Sequence, residues 1–148
     1  MANKFRIRDG DALLVSGSVG DHGISVLLAR EQFGLRGDLQ SDSANVLPLT
    51  RALTGMDGLR FMRDPTRGGL ASVLNEMVED AKIGIQIHEA DIPISSGAHA
   101  VSELLGLDPL HVASEGRMLA VCSAVAAPPF WMHGRPCPKD TAPGISTA

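Results

Sequence analysis

The sequence predicts an α+β (α/β) fold, a mixed β-sheet with helices packed against it. Three observations carry that expectation. Short apolar runs bounded by Gly, Asp or Ser read as strands, three longer stretches space their apolar residues as helices do, and the two patterns interleave along the chain. The length of 148 residues, 44% hydrophobic and 20% charged, suits one domain with a core that needs neither disulfide nor metal.

Residues 1–10 are a polar lead-in ending at Gly10. The run Ala-Leu-Leu-Val-Ser at 12–16 reads as a buried strand between Asp11 and Gly17. From Gly23 to Phe33, Ile24, Leu27, Leu28 and Phe33 fall near helical spacing, with Asp21 as N-cap and Gly34 as the stop. Residues 35–44 are polar and read as a loop, and a short helix from about Asn45 to Thr54 tolerates Pro48 only in its first turn. Residues 59–63 read as a half-buried strand. The turn at 64–69 then leads into an amphipathic helix marked by Leu70, Val73, Leu74, Met77 and Val78 and ending near Ala81. Ile83, Ile85 and Ile87 alternate as in a strand. Ser95 or Ser96 caps a helix running to Leu105 and stopped by Gly106, and residues 117–125 read as a last buried strand. Residues 128–148 hold five of the nine prolines and no periodic pattern, and read as an extended or disordered tail.

Composition narrows the function classes. The net charge is −4, no basic cluster is present, and the only aromatics are Phe5, Phe33, Phe61, Phe130 and Trp131. That argues against a nucleic-acid surface. No apolar run approaches the roughly 18 residues of a membrane span, and the chain opens without a signal-peptide pattern. Cys122 and Cys137 form no CxxC pair, and His88, His99, His111 and His133 have no metal-site spacing. Cys122 sits in an apolar strand and reads as a core thiol. Cys137, between two prolines, reads as an exposed, incidental one. A cytoplasmic protein fits these features.

Three turns could carry chemistry. Arg63-Asp64-Pro65-Thr66-Arg67-Gly68-Gly69 lies between a strand and a helix. Gly68 and Gly69 would let the backbone approach a ligand, and the helix start would offer free N–H groups to phosphate. Asp64 could hold Mg²⁺ against phosphate oxygens, and Arg67 could neutralise charge on a transferred phosphoryl group. The alternative is a tight turn with Asp or Thr as N-cap and an exposed arginine. Gly20-Asp21-His22-Gly23 is the second turn, either a proton-handling loop around His22 or a capped helix with a surface histidine. Ala113-Ser114-Glu115-Gly116 is the third, where Glu115 is either a general base at a strand mouth or a solvated carboxylate.

The strings GDALLVSGSVGDHGISVLLARE at 10–31, Ser41-Asp42, MRDPTRGGLASVLNEMVED at 62–80 and LLGLDPLHVASEG at 104–116 together resemble the HypE family of hydrogenase maturation factors. The likeness runs through about residues 8–125. It implies an AIR synthetase-like C-terminal domain (PurM superfamily) over 11–127, with the lead-in 1–10 before it and the tail 128–148 after it. Aminoimidazole ribonucleotide synthetase, selenophosphate synthetase and thiamine-monophosphate kinase share the scaffold. Only the second half of a HypE protein has a counterpart here. The family's N-terminal domain, which carries much of the ATP site and the dimer barrel, does not. The chain ends Gly-Ile-Ser-Thr-Ala rather than in the family's Pro-Arg-Ile-Cys, and Ser114 stands where the family typically has Asn.

The resemblance implies an ATP-dependent carbamoyl dehydratase that turns a cysteine S-carboxamide into a thiocyanate for nickel–iron hydrogenases. It places Asp64, Thr66, Arg67, Gly68 and Gly69 at the phosphates, Asp64 on the metal, Glu115 as base and His22 as a second candidate. ATP and Mg²⁺ are the expected ligands of the full-length family, with none expected on this segment, which should be inactive alone. HypF, HypC and HypD type proteins and a homodimer are the expected partners. The rival expectations are a non-catalytic docking module, or a kinase or selenophosphate synthetase relative.

Overall fold

The computed structural model describes residues 6–30, 34, 35, 37–126 and 145–147. Its sheet is built from β1 (Asp11–Val15), β2 (Leu59–Arg63), β3 (Leu119–Ser123) and β4 (Ile145–Thr147), in the spatial order β2-β3-β1-β4. Every pairing among them is antiparallel, with Leu13 opposite Val121, Val15 opposite Leu119 and a bulge between Leu59 and Phe61. The helices are α1 (Asp21–Ala29), α2 (Leu47–Thr54), α3 (Gly69–Ala81) and α4 (Ser96–Leu105). The α+β class therefore stands, with an antiparallel sheet among the described residues where mixed pairing was expected.

The sheet is covered on both faces, and this explains the composition of its central strands. Leu13, Val15, Leu119 and Val121 lie on one face against Leu70, Val73, Leu74 and Met77 of α3. Ala12, Leu14, Ala120 and Cys122 lie on the other, against Leu53 of α2 and Met118. A strand buried on both sides reads as a continuous apolar run rather than an alternating one, as β1 and β3 do. Each fully buried aliphatic side chain contributes roughly 1.5–3 kcal/mol. Asp11 is buried at the start of β1. Its Oδ2 accepts from the Arg8 amide at 2.8 Å and from Arg60 Nε at 3.3 Å, so the carboxylate does not enter the core unpaired.

Several local expectations hold and others shift for identifiable reasons. Pro48 sits in the first turn of α2, where its missing N–H costs nothing. Ser95 caps α4, its Oγ accepting from the Ala98 amide at 3.2 Å, and Gly106 ends the helix in the left-handed region. Asp21 is not a cap. Gly20 takes that position with φ +83°, and Asp21 begins the helix itself as a buried residue. The helix stops at Ala29 with Arg30 as C-cap, before the expected stop at Gly34. Residues 83–88 form no ladder. Ile83, Ile85 and Ile87 are half-buried and their neighbours exposed, with Ile85 and Ile87 packed on the α3-side core. Alternation reports which side chains are buried, and here burial comes without a pairing strand. Of the expected tail, 145–147 pair with β1 as an edge strand; Cys137 and the rest lie outside the described residues.

Burial pushes the Cys122 thiol above its ordinary value, and the nearby Asp11 carboxylate pushes the same way against a smaller opposing effect of Arg60. The thiol therefore stays protonated at neutral pH and is a poor nucleophile. Iodoacetamide at neutral pH is expected to leave Cys122 unlabelled in the native protein and to label it after denaturation, as peptide mass mapping would show. Leu119→Ala, at a fully buried position, is expected to lower unfolding stability by about 2–5 kcal/mol in urea titration.

Candidate functional site

The three turns singled out in the sequence meet at one segment, residues 109–116. A 3-10 turn at Pro109–His111 begins it, with Asp108 Oδ1 accepting from the Leu110 amide at 2.9 Å. The Gly20–Gly23 turn is bound to it twice. The Gly20 amide donates to Ser114 Oγ at 2.8 Å, and the Gly23 amide donates to the Ala113 carbonyl at 3.1 Å. The turn before α3 is bound through Ser114 again, whose amide donates to the Pro65 carbonyl at 3.1 Å. Ser114 is buried. One side chain and its own amide thus join two turns far apart in sequence.

Gly69 shows how close this approach is. It has φ +64°, and a Cβ placed on it would lie 2.4 Å from the Leu110 carbonyl oxygen and 2.6 Å from that of Val112. The space left by the missing side chain is filled by the protein's own backbone, not left for a ligand. The Gly69 amide is also engaged, by the Thr66 carbonyl at 3.3 Å. Gly68 is the exposed N-cap, without a side-chain cap, so neither Asp64 nor Thr66 caps α3. The amides of Leu70 and Ala71, next in the first turn, have no backbone or side-chain acceptor among the described residues. They sit at the positive end of the helix dipole. Asp64 and Arg67 are exposed and Thr66 half-buried beside them.

Glu115 and His22 are brought to consecutive residues of one loop. The Glu115 amide donates to Asp42 Oδ1 at 2.9 Å, and His22 Nδ1 is 2.8 Å from Ser41 Oγ. The Glu115 carboxylate itself is exposed, and the His22 ring is half-buried. The loop carrying Ser41 and Asp42 lies so close to the Glu115 strand mouth that a Cβ on Gly116 would fall 1.8 Å from the Asp42 carbonyl oxygen.

Beneath these turns lies a polar cluster that the sequence pattern did not single out. Arg117 donates from Nε to the Ser18 carbonyl at 2.8 Å and from Nη2 to Ser18 Oγ at 3.2 Å. Two buried carboxylates flank it, Asp21 Oδ2 and Asp42 Oδ2, each 3.8 Å from a guanidinium nitrogen. Asp21 also accepts from the hydroxyls of Ser18 and Ser95, whereas Asp42 Oδ2 has no hydrogen-bond partner. No spacing rule joins Asp21, Asp42 and Arg117 along the chain. A hint lay in the acid placed beside a glycine or serine in each turn.

No group of three or more His, Cys, Asp or Glu side chains gathers as a metal cage among the described residues. Asp64 therefore fits a divalent cation only as a single carboxylate ligand sharing the ion with phosphate oxygens, a common arrangement for Mg²⁺.

Residues 8–129 match the family of AIR synthase related proteins, C-terminal domain. Carbamoyl dehydratase HypE of Bradyrhizobium diazoefficiens is 41% identical over 145 residues, covering 95% of this chain and 41% of that one. HypE of Escherichia coli, in its crystal structure, superposes with a TM-score of 0.89 at 38% identity over 99% of this chain and 46% of that one. A HypE solved in complex with ATP matches at TM-score 0.85 and 32% identity over 99% and 45%. Another, in a HypE–HypF complex, matches at 0.87 and 31% over 99% and 50%. Thiamine monophosphate kinase of Aquifex aeolicus, at 17% identity, TM-score 0.61 and coverage of 99% and 49%, shares the fold alone. The chain spans less than half the length of the curated relatives it matches.

Ser114→Ala removes the acceptor of the Gly20 amide while keeping the backbone bond to Pro65. It is expected to cost about 1–2 kcal/mol and to speed hydrogen exchange at Gly20, both measurable on the folded chain by denaturation and NMR.

Proposed function

Because the chain belongs to the AIR synthase related protein family, C-terminal domain, we propose that it performs the corresponding part of a HypE-type, ATP-dependent carbamoyl dehydratase reaction in nickel–iron hydrogenase maturation. The observation that supports this most is the convergence of the three turns on residues 109–116, tied together by Ser114. Residues that would serve phosphate and residues that would serve a carboxamide are thereby held on one small piece of backbone.

An amide oxygen is a poor leaving group. The proposed reaction moves the terminal phosphoryl group of ATP onto the oxygen of a cysteine S-carboxamide, with loss of one N–H proton. The C–O bond then breaks, phosphate departs, the second N–H proton is lost and S–C≡N remains. Phosphoryl transfer asks mainly for positioning and charge neutralisation. The Leu70 and Ala71 amides, to which no acceptor is bound among the described residues, and Arg67 would provide these at the phosphates, with Asp64 holding Mg²⁺ and Thr66, Gly68 and Gly69 shaping the turn. Proton removal asks for a base within reach of the amide. Glu115 is the first candidate for it and His22 the second, each hydrogen-bonded to the Ser41–Asp42 loop.

Asp64 and Arg67 are exposed, and the open cleft lined by Ile87, Glu103 and Asp108 includes no residue of 64–69. Phosphoryl chemistry needs water excluded from the reacting atoms. The described residues thus form one wall of the proposed site, and we propose that this segment does not turn over ATP unaided. The same openness favours a second reading, a non-catalytic module that docks other maturation proteins of the HypF, HypC or HypD type. A homodimer and a cytoplasmic location belong to the first reading.

In a full-length relative, the substitution equivalent to Glu115→Gln is expected to lower thiocyanate formation by about 10²-fold or more while ATP still binds. Unchanged formation removes Glu115 from the proposed roles. With this chain alone, ATP hydrolysis is expected at the buffer background, and Mg·ATP is expected to shift the NMR signals of residues 64–71. A silent titration combined with partner binding favours the docking reading.

A further inference from the structure

The excess negative charge of this protein is concentrated in one stretch. Residues 83–116 contain Glu89, Asp91, Glu103, Asp108 and Glu115 and not one Lys or Arg, so this stretch more than accounts for the net charge of −4. Three of these acids, Glu89, Glu103 and Asp108, line an open cleft of about 520 Å³ between the end of α4, the 3-10 turn at 109–111 and the segment 87–94, which carries a further 3-10 turn at Glu89–Asp91. No basic side chain other than His99 contributes to its lining as described. The volume lies in the range of ordinary ligand clefts.

The walls of the cleft have two distinct characters. Ile87, Ile92, Ile94 and Leu110 give half-buried apolar surface, and the exposed Leu104 and Leu107 continue the apolar character around the helix end. The carboxylates stand at the rim, Glu103 within 3.4 Å of His99 Nδ1 and Asp108 within 3.9 Å of His111 Nε2. The C-terminal end of α4, the negative end of its dipole, points to the same place. The second observation is Ser102. It also lines the cleft, it is 2% exposed, and its Oγ has no hydrogen-bond partner. A helical serine usually returns its hydroxyl to the carbonyl four residues back. Here that bond is not made, and a buried hydroxyl lacking a partner is costly unless something supplies one.

We propose that this cleft docks a basic, apolar-flanked segment of a partner protein. The aliphatic stem of a Lys or Arg lies over the isoleucines, its charged head reaches Glu103 and Asp108, and a donor N–H reaches Ser102 Oγ. A long basic side chain combines these two needs in one group. Exposed ion pairs contribute little singly, so a free small cation would gain little here. A segment that adds apolar contact along Leu104 and Leu107 gains more. The inference is independent of the proposed dehydratase reaction, since none of the residues assigned to that reaction lines the cleft.

The test titrates the full ¹⁵N-labelled chain with acetyl-Leu-Arg-Leu-Arg-Leu-amide, with the Glu-for-Arg peptide and with arginine amide. Expected are saturable shifts confined to residues 87–94 and 99–110 with the basic peptide alone, weakened by added salt. Glu103→Gln with Asp108→Asn, both exposed positions, is expected to lower affinity about five- to tenfold at unchanged Tm. Ser102→Ala is expected to weaken binding while leaving the overall spectrum folded. Equal response to the acidic peptide, equal affinity for arginine amide, or no loss in the double variant overturns the proposal. Concentration-dependent dimerisation abolished by that double variant also overturns it, since the occupant would then be a second copy of the chain.

Discussion

The arrangement of the turns depends on Ser114. Its hydroxyl accepts from the Gly20 amide and its own amide donates to the Pro65 carbonyl, so the start of α1 and the approach to α3 are referred to one buried residue. Each bond alone is worth about 1 kcal/mol net. Their joint effect is geometric, because the alternative to making them is two donors and two acceptors left unpaired in buried residues. The neighbours repeat the device, with Ala113 receiving the Gly23 amide and Glu115 giving its amide to Asp42. Residues 109–116 thus act as the common reference for the turns that open α1 and α3.

The cluster around Arg117 is the electrostatic counterpart of that reference. A guanidinium between two buried carboxylates is expensive to desolvate, and such pairs seldom stabilise a fold by themselves. What they supply is a single arrangement. Ser18, Ser95 and the planar fork of Arg117 can satisfy Asp21 in few ways. Asp42, holding Glu115 with one oxygen and facing Arg117 with the other, carries that rigidity to the loop above. The sheet provides the platform for this cluster: Ser16 Oγ accepts from the Met118 amide at the end of β1, joining the strand exit to the residue after Arg117.

Much of the fold was legible because it is locally encoded. Pro48, Ser95 and Gly106 mark helix ends through interactions within a turn of themselves, and β1 and β3 announce burial on both faces through unbroken apolar runs. The segment 83–88 departs from its pattern because alternation encodes burial but not a partner strand. Asp21 departs from the capping rule because an acid before a helix is usually turned to the amides, whereas this one is drawn inward by Ser18, Ser95 and Arg117. The candidate turns are legible as motifs and as a family resemblance. Their assembly is not, since Ser114 joins residues that no spacing rule connects, and the 3-10 turn at 109–111 is too short to leave a period.

The contacts at Gly69 and Gly116 bear on how this surface can evolve. Every residue that could replace glycine is larger, and at these two positions any added carbon meets a main-chain carbonyl that cannot rotate away. Lineages carrying this architecture are therefore held to a fixed backbone path through both points. The solvent-facing side chains of Asp64, Arg67 and Glu115 meet no such barrier. Such a layout separates the positions that fix the backbone path from those that shape only its surface.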